Sequence, residues 1–107
     1  MIANELLKGT LRSIILKLLF DNEKLYGYEI TQKVNDLSGG KIRLTFGALY
    51  PILHRFEADG TVRTETENVD NRIRKYYSLT ASGKKEAERK ISEFEDYLRT
   101  MTRMFHK

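Results

Sequence analysis

The sequence predicts an α+β fold, mostly α, and three features lead there. Three amphipathic helical stretches come first. A short alternating hairpin follows, and a long helix closes the chain. That order, three helices, a two-stranded hairpin and a trailing helix, is the order of a winged helix-turn-helix with a long C-terminal dimerisation helix. The expected division is residues 1–80 for the winged helix-turn-helix and 81–107 for the dimerisation helix, which forms one continuous fold with the N-terminal helix.

The first helix is expected from about Asn4 to Phe20. Leu6, Leu7, Leu11, Ile14, Ile15, Leu18 and Leu19 recur there at three- and four-residue steps. So wide an apolar arc needs burial on more than one side. A second helix is expected from Gly27 to Leu37, with Ile30, Val34 and Leu37 as its stripe. Ser38-Gly39-Gly40 ends it, because glycine readily takes the left-handed cap conformation. Lys41-Ile42-Arg43-Leu44 then alternates like a very short strand.

The third helix is expected from Phe46 to Ala58, with Thr45 as N-cap and Gly60 as its stop. Phe46, Leu49, Ile52, Leu53 and Phe56 face one way. Pro51, the only proline, breaks a local rule, since an interior proline removes a hydrogen bond and costs ~3 kcal/mol. Either the helix bends there or it begins near Pro51. The hairpin pairs Val62–Glu67 with Arg72–Leu79 across the turn-forming Asn68-Val69-Asp70-Asn71. The last helix is expected from Ala81 to Phe105, capped by Thr80 or Ser82. Ile91, Phe94, Leu98, Met101 and Phe105 step 3, 4, 3, 4 along it, the seam of a helix packing along another helix.

Composition excludes several functions. The chain has 107 residues and no cysteine, so disulfides, thiolate metal sites and cysteine nucleophiles are ruled out. Two histidines, His54 and His106, are too few for a histidine metal cage. No phosphate loop, nucleophile elbow or metal motif is present, so no enzyme, metal or cofactor is expected. The apolar run Ile14–Phe20 is interrupted by Lys17 and falls far short of the ~20 residues that span a bilayer. The opening Met-Ile-Ala-Asn-Glu lacks a basic region followed by an apolar run, so a cytoplasmic protein without a membrane partner is expected.

Net charge is +4, and its distribution says more than its size. Residues 21–40 carry two basic and four acidic groups, whereas Arg72-Ile73-Arg74-Lys75 carries three positive charges in four positions. In a winged helix the third helix enters a major groove ~12 Å wide, and the hairpin reaches phosphates beside it. The helix face opposite Leu49 and Leu53 holds Gly47, Pro51, His54, Arg55 and Ala58, flanked by Ala48 and Tyr50. Small residues there let the backbone approach DNA closely. The candidate DNA-contacting residues are therefore Lys41, Arg43, Gly47, Ala48, Tyr50, Pro51, His54, Arg55, Arg72, Arg74 and Lys75. The candidate dimer interface joins Leu7, Leu11 and Ile15 of the first helix to Ile91, Phe94, Leu98, Met101 and Phe105 of the last. A helix of ~38 Å overhangs a domain of this size and would expose its far apolar end in a monomer.

Three stretches of this chain resemble the PadR family of bacterial transcriptional regulators. They are Leu25-Tyr26-Gly27-Tyr28-Glu29-Ile30, then Gly47-Ala48-Leu49-Tyr50-Pro51-Ile52-Leu53-His54-Arg55-Phe56-Glu57-Ala58-Asp59-Gly60, and Arg74-Lys75-Tyr76-Tyr77-Ser78-Leu79-Thr80 followed by Gly83. The length resembles the short subfamily with a single C-terminal helix. The resemblance implies a homodimer that binds a palindromic double-stranded DNA operator, usually as a repressor. It also implies a small aromatic or phenolic ligand at the dimer interface, for which Phe94, Tyr97 and Met101 are the candidate pocket. The multidrug-sensing relatives use a tryptophan on the last helix for this purpose, and this sequence has none. A winged-helix module that binds protein or RNA is the alternative that charge alone leaves open.

Overall fold

The computed structural model describes residues 2–106. Its elements are α1 (Asn4–Leu7), α2 (Leu11–Asp21), β1 (Leu25–Tyr26), α3 (Gly27–Leu37), α4 (Phe46–Ala58), β2 (Val62–Val69), β3 (Arg72–Leu79) and α5 (Ala81–Phe105). This is the winged helix-turn-helix arrangement, with a three-stranded antiparallel sheet in the order β1-β3-β2.

The predicted first helix is two helices. The chain turns at Lys8–Thr10, where both the Thr10 amide and its hydroxyl donate to the Leu7 carbonyl. Gly9, the weakest helix former in the stretch, sits inside that turn and costs ~1 kcal/mol relative to alanine in a helix. The apolar periodicity continues across the break because Leu7 of α1 and Leu11 of α2 line one cleft with Ile42 and Leu44, whereas Leu6 is largely exposed.

Glu29 starts α3 by accepting the Tyr26 amide at 3.1 Å. Gly39 and Gly40, at φ 63° and 79°, stop it, and the Gly40 amide returns to the Asn35 carbonyl at 2.8 Å. Lys41–Leu44 is not a strand. Among the described residues it has no strand partner: the Ser38 hydroxyl takes the Ile42 amide and Lys41 offers its carbonyl to the Ile2 amide. Its alternation reflects the inward turn of Ile42 and Leu44 alone. Thr45 caps α4 as expected, accepting the Ala48 amide at 3.2 Å. The helix starts at Phe46 and runs through Pro51, so it does not begin at the proline. The carbonyl that loses its partner is that of Gly47, which is exposed to water. Burial of Leu49, Leu53 and Phe56 offsets the loss at ~1.5–3 kcal/mol each.

The hairpin turns on Asp70 and Asn71, both in the left-handed region at φ 52° and 63°. That is the two-residue primed turn that matches strand twist, so the strands reach Val69 and Arg72, two residues beyond the predicted first strand end. The third strand was not expected. Leu25 pairs with Tyr77 and Tyr26 with Tyr76, in a run of two residues too short to show a period.

The core lies between α2, α3, α4, the base of the sheet and the first turns of α5. Ile15, Ile30, Leu49, Leu53 and Tyr77 are its most enclosed large side chains. Ile15, assigned to the dimer face, is 0% exposed and belongs to this core. It follows Ile14 by one step and so points inward from α2, beyond a partner's reach. At the base of the sheet the Thr80 hydroxyl donates to the Gly60 carbonyl at 2.6 Å and accepts the Gly83 amide at 3.0 Å. The buried Thr61 hydroxyl donates to Glu86 at 2.9 Å. Gly83 packs directly on the Thr61 carbonyl, where a Cβ would overlap the oxygen. Gly83→Ala should therefore cost about 2–3 kcal/mol by overpacking. Urea unfolding measures this, and an unchanged midpoint would contradict the contact.

Candidate nucleic-acid interface

α4 is held by Leu49 and Leu53, both 0% exposed, so its opposite face is committed to the outside. Gly47, Ala48, Pro51, His54 and Arg55 are all exposed on it. The helix start is a bare stretch of Gly47 and Ala48, with Lys41 and Arg43 exposed on the segment that leads into it. Neither cation has an ion-pair partner among the described residues. A major groove ~12 Å wide admits such a helix, and the small residues permit close backbone approach.

Tyr50 behaves differently from its neighbours. Its ring is half-buried against the core, and its hydroxyl occupies the space that a side chain on Gly27 would need. It stacks between Phe46, at 5.7 Å, and His54, at 6.1 Å, measured between ring centroids. Tyr50 thus packs between α4 and the start of α3. Arg55 is tied to Asp59 at 3.2 Å along the same helix.

The sheet presents its basic residues on two faces. Tyr77 and Lys75 point toward α4, and Lys75 meets Glu57 of that helix at 3.4 Å. Thr64, opposite Tyr77 in register, donates to the same carboxylate at 3.3 Å. These links lay the hairpin beside α4. Arg74 lies on the other face, with its guanidinium 4.6 Å from the centre of the Tyr26 ring. A hydrogen bond to Tyr76 raises the Arg74 pKa above the ordinary arginine value. Arg72 is exposed beside the turn. Among the described residues, the four-residue basic run is therefore one cation without an ion pair, one stacked on tyrosine and one paired with α4.

Sequence reasoning missed Lys24, Tyr26, Tyr76 and Glu57. Lys24 donates to Glu67 and lies 3.3 Å from Glu65. The Glu67 hydrogen bond is the main cause that raises the Lys24 pKa. The one available signal was the i, i+2 spacing of Glu65 and Glu67, which puts both carboxylates on one strand face.

Along α5, Gly83 and Ala87 are buried and Ile91 packs on the core. Beyond them the seam opens: Leu98 is 48% and Phe105 80% exposed. Phe94 and Met101 are half-buried, as are Leu7 and Leu11. A cleft of about 310 Å³ lies between α2, the end of α3 and α5, lined by Ile14, Leu18, Leu37, Ile91, Phe94 and Leu98. Of the candidate pocket residues only Phe94 lines it; Tyr97 and Met101 lie further along the helix. Among the described residues no group of His, Asp or Glu could hold a metal ion, and no helix is long and apolar enough to cross a membrane.

Residues 15–89 match the family described as the Transcriptional regulator PadR-like family. A transcriptional regulator of Mycobacterium tuberculosis is 40% identical over 80 residues, covering 75% of this chain and 71% of that protein. The crystal structure of a PadR family transcriptional regulator from Eggerthella lenta superposes with a TM-score of 0.78 at 26% identity, over 96% of this chain and 88% of that one. A transcriptional regulator from Clostridium thermocellum superposes over the whole of both chains, with a TM-score of 0.83 and 26% identity.

Burial pushes the Tyr77 hydroxyl above the ordinary tyrosine pKa of ~10. The folded state therefore binds the tyrosine proton more tightly than the unfolded state does. That contribution is present below pH ~10 and is lost as the pH rises through the folded-state value. Urea unfolding between pH 8 and 11 should show stability falling at the alkaline end, with a shallower fall for Tyr77→Phe. Equal pH profiles would contradict the burial of that hydroxyl.

Proposed function

Because this chain belongs to the PadR-like family of transcriptional regulators, we propose that it acts as a homodimeric repressor that occupies a palindromic DNA operator. Family members are regulators of transcription and not enzymes. The observation that supports the operator reading best is the outward face of α4. It is bare at its N-terminal end, led in by the unpaired Lys41 and Arg43, and flanked by a hairpin that Glu57 draws alongside. In this reading α4 reads base edges in the major groove, while Lys41, Arg43 and Arg72 fix register on phosphates. Arg74, Lys75 and Arg55 already have partners within the protomer and contribute less.

The pairing reading rests on the apolar far half of α5. Leu98, Met101, Met104 and Phe105 extend beyond the protomer's core, and a second copy removes that surface from water. Leu7 and Leu11 supply the facing side. Two copies related by a two-fold axis would place their α4 helices in major grooves ~34 Å apart. An aromatic or phenolic ligand held against Phe94, in the cleft beneath α5, would act by changing that spacing.

Fragments of genomic DNA retained by the protein should share a palindrome. On such a fragment the affinity should fall with log salt at a slope of about −5 to −9, as expected for ~6–10 neutralised phosphates. Lys41→Ala with Arg43→Ala should flatten the slope by about 3 to 4 in a dimer. No palindrome together with a slope near zero would favour a protein- or RNA-binding module instead. Leu98→Asp should convert the dimer to a folded monomer in sedimentation equilibrium, and a persistent dimer would refute the α5 seam.

A further inference from the structure

The outer face of the sheet, turned away from α4, carries a charged and aromatic cluster that DNA reading does not use. Glu65 stands opposite Tyr76 and Glu67 opposite Arg74. Lys24 lies just before β1, at one edge of the sheet, and both carboxylates lie on β2, at the other edge. The Lys24 ammonium bonds Glu67, lies 3.3 Å from Glu65 and stands 4.8 Å from the centre of the Tyr76 ring. The Tyr76 ring meets Tyr26 edge-on at 5.4 Å. The Lys24–Glu67 link thus crosses the width of the sheet and joins residues 43 apart in sequence.

Position makes this link more than surface decoration. β1 pairs with β3 only at Tyr77 and Tyr76, and Tyr77 is the last core residue toward the turn. Everything beyond it is a two-stranded ribbon, and such a ribbon alone is marginal in water. Outside its own ladder the ribbon is gripped from two sides. Glu57 of α4 holds Thr64 and Lys75 on the inner face; on the outer face Lys24 holds Glu65 and Glu67, and Tyr26 meets the Arg74 guanidinium.

We propose that Lys24 is a positioning residue for the hairpin: by clamping Glu65 and Glu67 to the body it sets the pitch at which Arg72 and the turn meet a duplex. This rests on the DNA-binding reading above. Lys24 itself need not touch DNA, because its ammonium is already shared between two carboxylates.

The test exploits an opposition of sign. The double variant Glu65→Gln, Glu67→Gln removes two negative charges per protomer. Electrostatics alone would tighten its hold on a phosphate backbone. Positioning requires the reverse: weaker binding to a mixed-sequence duplex of ~30 base pairs, by about two- to fivefold. Amide exchange across residues 63–75 of the free protein should rise about two- to fivefold while the core amides stay protected. Lys24→Met should show the same two changes, and Lys24→Arg should restore both. Tighter or unchanged binding by the double variant, with the wild type bound, overturns the proposal, as does unchanged exchange. A wild type that binds no duplex sinks the DNA reading itself, and the exchange measurement still decides whether the clamp exists.

Discussion

The knot formed by Gly60, Thr61, Thr80 and Gly83 is the constraint on which the rest of the molecule hangs. Three elements with separate tasks leave this point: α4 ends at it, the hairpin opens and closes on it, and α5 starts from it. The Thr61 amide donates to Phe56 at the end of α4, and the Thr80 amide donates to the Thr61 carbonyl at the base of the sheet. The Thr80 side chain then starts α5 while holding the Gly60 carbonyl. Gly60 sits at φ 75°, so it is suited to making the sharp turn after α4. Gly83 is suited to letting α5 lie directly on the Thr61 backbone. The angles between α4, the hairpin and α5 are thereby set within four residues.

From this knot the exposed surfaces follow by side-chain direction. α4 commits Leu49, Leu53 and Phe56 inward, so its small and polar residues face out. The sheet commits Tyr77 and Leu79 inward, so Lys75 and Thr64 fall toward α4 and Arg74 and Tyr76 fall away from it. α5 commits Gly83, Ala87 and Ile91 to the core and then outruns it. The protein measures 55 Å along its long axis, and the far part of α5 carries apolar side chains past the body. Exposed apolar area of this kind is what a symmetric partner covers.

Much of this could be read from the residues. The span of α4, its Thr45 cap and the 25-residue α5 all follow from period and punctuation. What escaped the sequence depends on through-space partners. Ile42 and Leu44 alternate as a strand would, yet no strand lies beside them. Leu25 and Tyr26 form a strand only because β3 passes close. The basic run Arg72–Lys75 looks like one patch, but strand alternation sends its members to opposite faces, where Tyr26 and Glu57 occupy two of them. Ile15 continues the four-residue spacing of Leu7 and Leu11, yet α2 packs closely enough on the body to place it in the core.

The central claim is that two copies present their α4 helices and hairpins to one side of a duplex. Hydroxyl-radical footprinting on a DNA fragment selected by the protein tests it most directly. The account predicts two equivalent protected patches on one face of the duplex, about 10 base pairs apart and related by a two-fold axis. A single patch, or protection spread evenly around the duplex, would contradict it.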